Sequence, residues 1–84
     1  MITTRNPDTL RNAVFGIGGV RQNPPGTMVE YWRGPTDFNP KGQRREVFDM
    51  AHKLYQSGAC LLFQELVEKT DDGYWTYSYR AMVM

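Results

Sequence analysis

Thr70-Asp71-Asp72-Gly73 separates two strand-like runs, Cys60 to Lys69 and Tyr74 to Val83, and no other feature of this chain constrains its fold as strongly. Asp and Gly favour the left-handed backbone a tight hairpin needs, the first flank is largely apolar and the second is rich in aromatic residues. A three-residue loop of Asp71, Asp72 and Gly73 sets Thr70 opposite Tyr74 and fixes the register of everything behind it. Leu61, Phe63, Glu65, Val67 and Lys69 then share a face with Trp75, Tyr77, Tyr79, Ala81 and Val83. That face is mostly apolar and is expected to meet a helix. Leu62, Gln64, Leu66 and Glu68 fall on the other face with Tyr74, Thr76, Ser78, Arg80 and Met82.

The helix that would cover the hairpin precedes it. Val47, Phe48, Ala51, Leu54 and Tyr55 recur at helical spacing, and Gly58 ends the pattern. Asn39-Pro40 supplies a capping side chain and a proline suited to a first turn. Met28 to Arg33 reads as an earlier strand, joined to the helix by Pro35 to Asn39. These elements give an α+β domain: one main helix on a three-stranded, mainly antiparallel sheet, β-α-β-β, with strand order 1-3-2. The second hairpin strand, the most apolar, takes the centre.

The N-terminal 26 residues read as a short helix or arm attached to a core at residues 27–84, all within a single domain. Asn6-Pro7-Asp8 starts a helix with Leu10, Ala13 and Val14 on one face, and Gly16, Gly18 and Gly19 are expected to form a flexible exit. Met1 to Arg5 and Val20 to Gly26 are expected to be its most mobile parts. Asn6-Pro7, Arg11 and Val14-Phe15 recur 33 residues later as Asn39-Pro40, Arg44 and Val47-Phe48. Shared capping chemistry explains this echo more simply than a duplicated α–β unit does.

Eighty-four residues with a net charge of +1 exclude a general polyanion binder, whose affinity comes from many clustered Lys and Arg contacts. Cys60 is the only cysteine, so no internal disulfide forms, and a reducing, cytoplasmic setting is expected. No apolar signal segment opens the chain, and no run approaches the roughly 20 apolar residues of a membrane helix.

Catalytic patterns are sparse. His52, the only histidine, follows Asp49 by three residues, an orienter–base spacing with no nucleophile in reach. One His and one Cys eight residues apart match no closed zinc spacing. Gly16-Ile17-Gly18-Gly19 lacks the strand and the Lys-Ser/Thr of a phosphate loop. No catalytic residue, metal or cofactor is therefore expected, and the chain reads as a small non-enzymatic interaction protein. Regulators and inhibitors carried by phages and mobile elements are often of this size, although no motif here supports that origin. Partner-binding candidates are Trp32, Tyr74, Arg80 and Met82, residue types that protein interfaces favour. The alternative is a nucleic-acid-binding regulator using Lys41, Arg44, Arg45 and Arg80. Arg45 also stands four residues before Asp49, in place for an ion pair. Met28–Arg33 and Leu61–Lys69 would be open sheet edges, so a homodimer is expected.

Overall fold

Capping and glycine placement decide where each element starts and stops. In a computed structural model describing residues 1–36 and 39–84, the chain runs β1 (Ile2–Thr3), α1 (Pro7–Phe15), β2 (Met28–Gly34), α2 (Gly42–Gln56), β3 (Cys60–Lys69) and β4 (Trp75–Val83). Asn6 caps α1 as its sequence suggests, with Oδ1 accepting from the Asp8 and Thr9 amides at 2.8 and 3.4 Å. Helix α2 ends in a Schellman motif: the Gly58 amide bonds Tyr55 O and the Ala59 amide bonds Leu54 O, each at 3.0 Å. Its start differs from the Asn39-Pro40 expectation. Lys41 is the N-cap, extended and without a side-chain cap bond, and Gly42 turns the chain into the helix at φ +61°. Asp37 and Phe38, within the expected connection, lie outside the described residues.

The sheet has four strands in the order β1-β2-β4-β3 and is mixed, since β1 runs parallel to β2 while β4 is antiparallel to both neighbours. This corrects the three-stranded expectation, although the α+β class stands. A two-residue strand is too short to show a pattern, yet it pairs Ile2 with Val29 and Thr3 with Glu30 and so covers part of what looked like an open edge. No helix among the described residues is long and apolar enough to cross a membrane.

Both helices pack on one side of the sheet. Leu10 and Val14 of α1 and Val47, Ala51 and Leu54 of α2 meet Val29, Tyr31, Cys60, Tyr79, Ala81 and Val83 in one buried cluster. The N-terminal third is therefore part of the core rather than an arm. Its glycines are structural too. Ile17 and Val20 exchange two 2.9 Å backbone bonds around Gly18 and Gly19, both at positive φ, which makes a tight turn of the expected flexible exit. Asn23 Nδ2 ties the following loop to Ala13 O at 2.9 Å, and the Gly26 amide bonds Val83 O at 2.7 Å. The 33-residue echo does not survive as equal units: α2 begins 35 residues after α1 (42 against 7), whereas β3 begins 32 after β2 (60 against 28).

The hairpin turn forms as read, with the Thr70 amide on Tyr74 O at 2.9 Å, and Lys69 and Glu68 stand opposite Trp75 and Thr76. A bulge between Leu66 and Glu68 then inserts one residue. Because side chains alternate with period two, every β3 residue behind it changes face. Cys60, Leu62 and Gln64 share the helix side with Val83, Ala81 and Tyr79, while Leu61, Phe63 and Glu65 turn away beside Met82, Arg80 and Ser78. The expected packing of Leu61 and Phe63 under α2 is thus reversed.

The distal hairpin also projects past the helices, in a molecule 46 Å long and 18 Å thin. Trp75 is 44% exposed there and Tyr55 on α2 is 50% exposed, so neither belongs to the core that the sequence suggests. Lys69 Nζ sits 4.9 Å from the Trp75 ring centre. Tyr79, by contrast, is buried among Tyr31, Phe48 and Tyr77. Tyr79→Ala is expected to cost about 3–5 kcal/mol and Trp75→Ala about 1 kcal/mol or less. Urea melts of the two variants check this, and equal losses would contradict the face assignment.

Candidate functional site

The uncovered side of the sheet begins with a charged residue in the middle of β2. Glu30 is 3% exposed although no helix lies over it, because polar neighbours close around it. Arg5 Nη2 donates to Oε1 at 2.6 Å, Ser78 Oγ to Oε2 at 2.6 Å, and Arg33 reaches Oε2 at 3.3 Å. The cluster continues through Arg80, whose Nε donates to Ser78 Oγ at 2.9 Å and whose Nη1 donates to Glu65 at 2.6 Å. A second bulge makes this possible. Register slips between Glu30 and Trp32, so Glu30 and Arg33 share the uncovered face while Tyr31 and Trp32 both turn toward α2. Burial pushes the Glu30 carboxyl up, but the bonds from Ser78, Arg5 and Arg33 and the Arg33 charge outweigh it and hold the group down to about 2.

Beside this cluster the same face becomes apolar. Met28 pairs with Met82 and Met82 with Leu61, and in the next row Phe63 lies across from Arg80. Leu61 and Phe63 are 38% and 44% exposed, and the two methionines are half-buried. Sulfur-bearing and aromatic side chains make an adaptable surface, and mixed charge borders it.

Two of the four expected partner-binding residues, Arg80 and Met82, meet on this face. Trp32 does not: it packs edge-on to Phe48 at 6.4 Å on the helix side. Tyr74 lies at the hairpin turn, 69% exposed. Leu61 and Phe63 are the residues that sequence reasoning placed elsewhere. The run Cys60-Leu61-Leu62-Phe63 is apolar in both parities, so alternation alone could not choose its face.

Of the four cations of the nucleic-acid alternative, Lys41, Arg44 and Arg45 stand at the start of α2 and Arg80 on β4, and the three arginines have partners within the protein. Arg44 lies over the rings of Phe48, Trp32 and Tyr79 at 5.1, 5.7 and 5.8 Å, and its Nη2 donates to Pro35 O at 2.5 Å. Arg45 pairs with Asp49 at 3.7 Å, Arg80 is held by Glu65, and Lys41 is exposed at the start of α2. Asp49 and His52 do not form a dyad. His52 Nδ1 contacts Phe48 O at 2.8 Å, and a carbonyl can only accept, so Nδ1 carries the proton and Nε2 is the free acceptor.

Cys60 is 1% exposed, and burial pushes its thiol up to about 11. Among the described residues no group of three or more His, Cys, Asp and Glu is placed to hold a metal.

No protein-family model, no curated protein and no solved structure matches the chain.

Proposed function

We propose that this protein is a non-enzymatic binding module that docks a partner protein on the uncovered face of its sheet. The observation that carries this reading is the patch of Met28, Leu61, Phe63 and Met82, which spans three strands and is bordered by Arg33, Arg80 and Glu65. An apolar centre with a rim of both charges suits a protein surface, whereas a polyanion calls for one contiguous basic stripe. The arginines contribute orientation: with Glu30 and Glu65 already paired, they offer directional donors at modest net charge. Met82 supplies an adaptable side chain next to Arg80, whose guanidinium Ser78 and Glu65 hold in place, and both residue types are ones that partner-binding surfaces enrich.

Leu61→Glu and Phe63→Glu test the reading. Both sites are exposed, so each variant is expected to stay folded, with a cost of about 0.5–1 kcal/mol and a fall of only a few degrees in melting temperature. Immobilised wild-type protein is expected to retain a partner from nuclease-treated cell lysate that neither variant retains. Capture that nuclease abolishes, or that survives both charge insertions, would overturn the proposal.

A further inference from the structure

Strand β3 is the last in the sheet, and among the described residues no strand pairs with its outer side. Which of its backbone groups are free follows from the ladder. The Met84 amide bonds Ala59 O at 3.1 Å, so Leu61, Phe63 and Glu65 direct their N–H and C=O groups toward β4. Leu62 and Gln64 direct theirs outward. The bulge at Leu66 interrupts this alternation and confines the regular free edge to the half of β3 nearer α2.

An open groove of about 230 Å³ runs beside that half, lined by Tyr31, Phe48, His52, Leu62, Phe63, Gln64 and Tyr79. Drug-sized ligands take pockets of roughly 300–1,000 Å³. This groove is smaller and suits a single side chain. Its walls are mostly apolar, with the free His52 Nε2 and the Gln64 amide as polar points. On the opposite side of the same edge, Glu65 and Glu68 are exposed carboxylates; Glu65 is paired with Arg80 on one side, and Glu68 has no ion pair among the described residues.

We propose that the outer edge of β3 and this groove take an extended segment of a partner protein. The segment adds a fifth strand, sets one large apolar side chain into the groove, and places basic residues on the other side against Glu65 and Glu68. Free backbone groups call for an extended chain, the groove volume for one anchor, and the two carboxylates for Lys or Arg one residue away from it. The groove and the uncovered face meet at Phe63, whereas Leu61 belongs to that face alone and contributes neither an outward backbone group nor a groove wall.

Blocked heptapeptides test this on the full chain. They carry a central Ala, Val, Leu, Phe or Trp flanked by Lys, with Glu-flanked versions as the comparison, and amide spectra are recorded as each is titrated to millimolar concentration. Large anchors between lysines are expected to bind at least tenfold tighter than Ala or Glu-flanked versions, shifting the amides of Leu62 and Gln64. N-methylating one alternating set of peptide nitrogens is expected to weaken binding about tenfold or more, while the other set is tolerated. Gln64→Pro, which an edge position with an outward N–H accommodates, is expected to abolish binding, and Leu61→Glu to leave it unchanged. Absence of any shift at Leu62 and Gln64, or equal tolerance of both N-methyl sets, would overturn the proposal. So would sedimentation showing a dimer that Gln64→Pro dissolves, because the occupant would then be a second copy of this chain. If the peptides bind as expected and the lysate partner is lost from Leu61→Glu, which keeps peptide binding, both surfaces are in use.

Discussion

Lowering the pH through the window from 4.5 to about 2 is expected to remove about 3 kcal/mol of stability through one carboxylate, Glu30. Its ionised form is favoured in the folded protein by donors from Ser78, Arg5 and Arg33, and these are absent when the chain unfolds. The folded value is therefore depressed. The contribution is complete above 4.5 and disappears as protons bind at lower pH. A fall of about 2.5 units at 1.36 kcal/mol each gives the magnitude. A domain of this size holds roughly 4–12 kcal/mol in total, so the loss is a large fraction of it. Urea melts of wild type and Glu30→Gln across this window are the measurement. The wild-type curve should fall toward the variant's as pH drops, and two parallel curves would show that Glu30 is not held as described.

How much of this was legible beforehand depended on how local the signal was. The Asn6-Pro7 cap, the Gly58 stop and the Thr70–Tyr74 turn are decided by neighbouring residues, and each formed as read. The helix face of β4 was legible for the same reason, since Tyr77, Tyr79 and Ala81 alternate with Thr76, Ser78 and Arg80, and Tyr79, Ala81 and Val83 are buried. Beyond Leu66 the reading failed. One inserted residue reverses a whole strand, and nothing in Leu66-Val67-Glu68 marks a bulge. The candidate face suffered directly: Arg80 and Met82 were found because β4 kept its parity, and Leu61 and Phe63 were misplaced because β3 did not. Glu30 was invisible for a different reason. Its partners Arg5 and Ser78 lie 25 and 48 residues away, and only the fold brings them within reach. Arg44 illustrates the same limit, because two of the rings around it, Trp32 and Tyr79, come from strands that only the fold brings to the start of α2.

Leu10→Ala is expected to destabilise the protein by about 3 kcal/mol, within the 2–5 kcal/mol typical of fully buried leucines. The residue is 0% exposed on α1 and belongs to the same buried cluster as Val29, Val47 and Ala51. For a domain of this size that loss corresponds to a fall of roughly 10–20 °C in melting temperature. Phe15, on the same helix but 56% exposed, is the internal comparison, and Phe15→Ala should cost about 0.5 kcal/mol or less. The pair separates two accounts of the N-terminal third. If α1 were an arm lying loosely on a finished core, both substitutions would be tolerated and the melt would stay where it was. If α1 completes the core, only Leu10→Ala fails, and it fails cooperatively. The consequence reaches the candidate face. Behind β2, α1 packs next to the strand that carries Met28 and Glu30, and Arg5 leads directly into its cap. A helix that loosens there should release Arg5 from Glu30. The pH dependence assigned to Glu30 should then weaken in Leu10→Ala while persisting in Phe15→Ala.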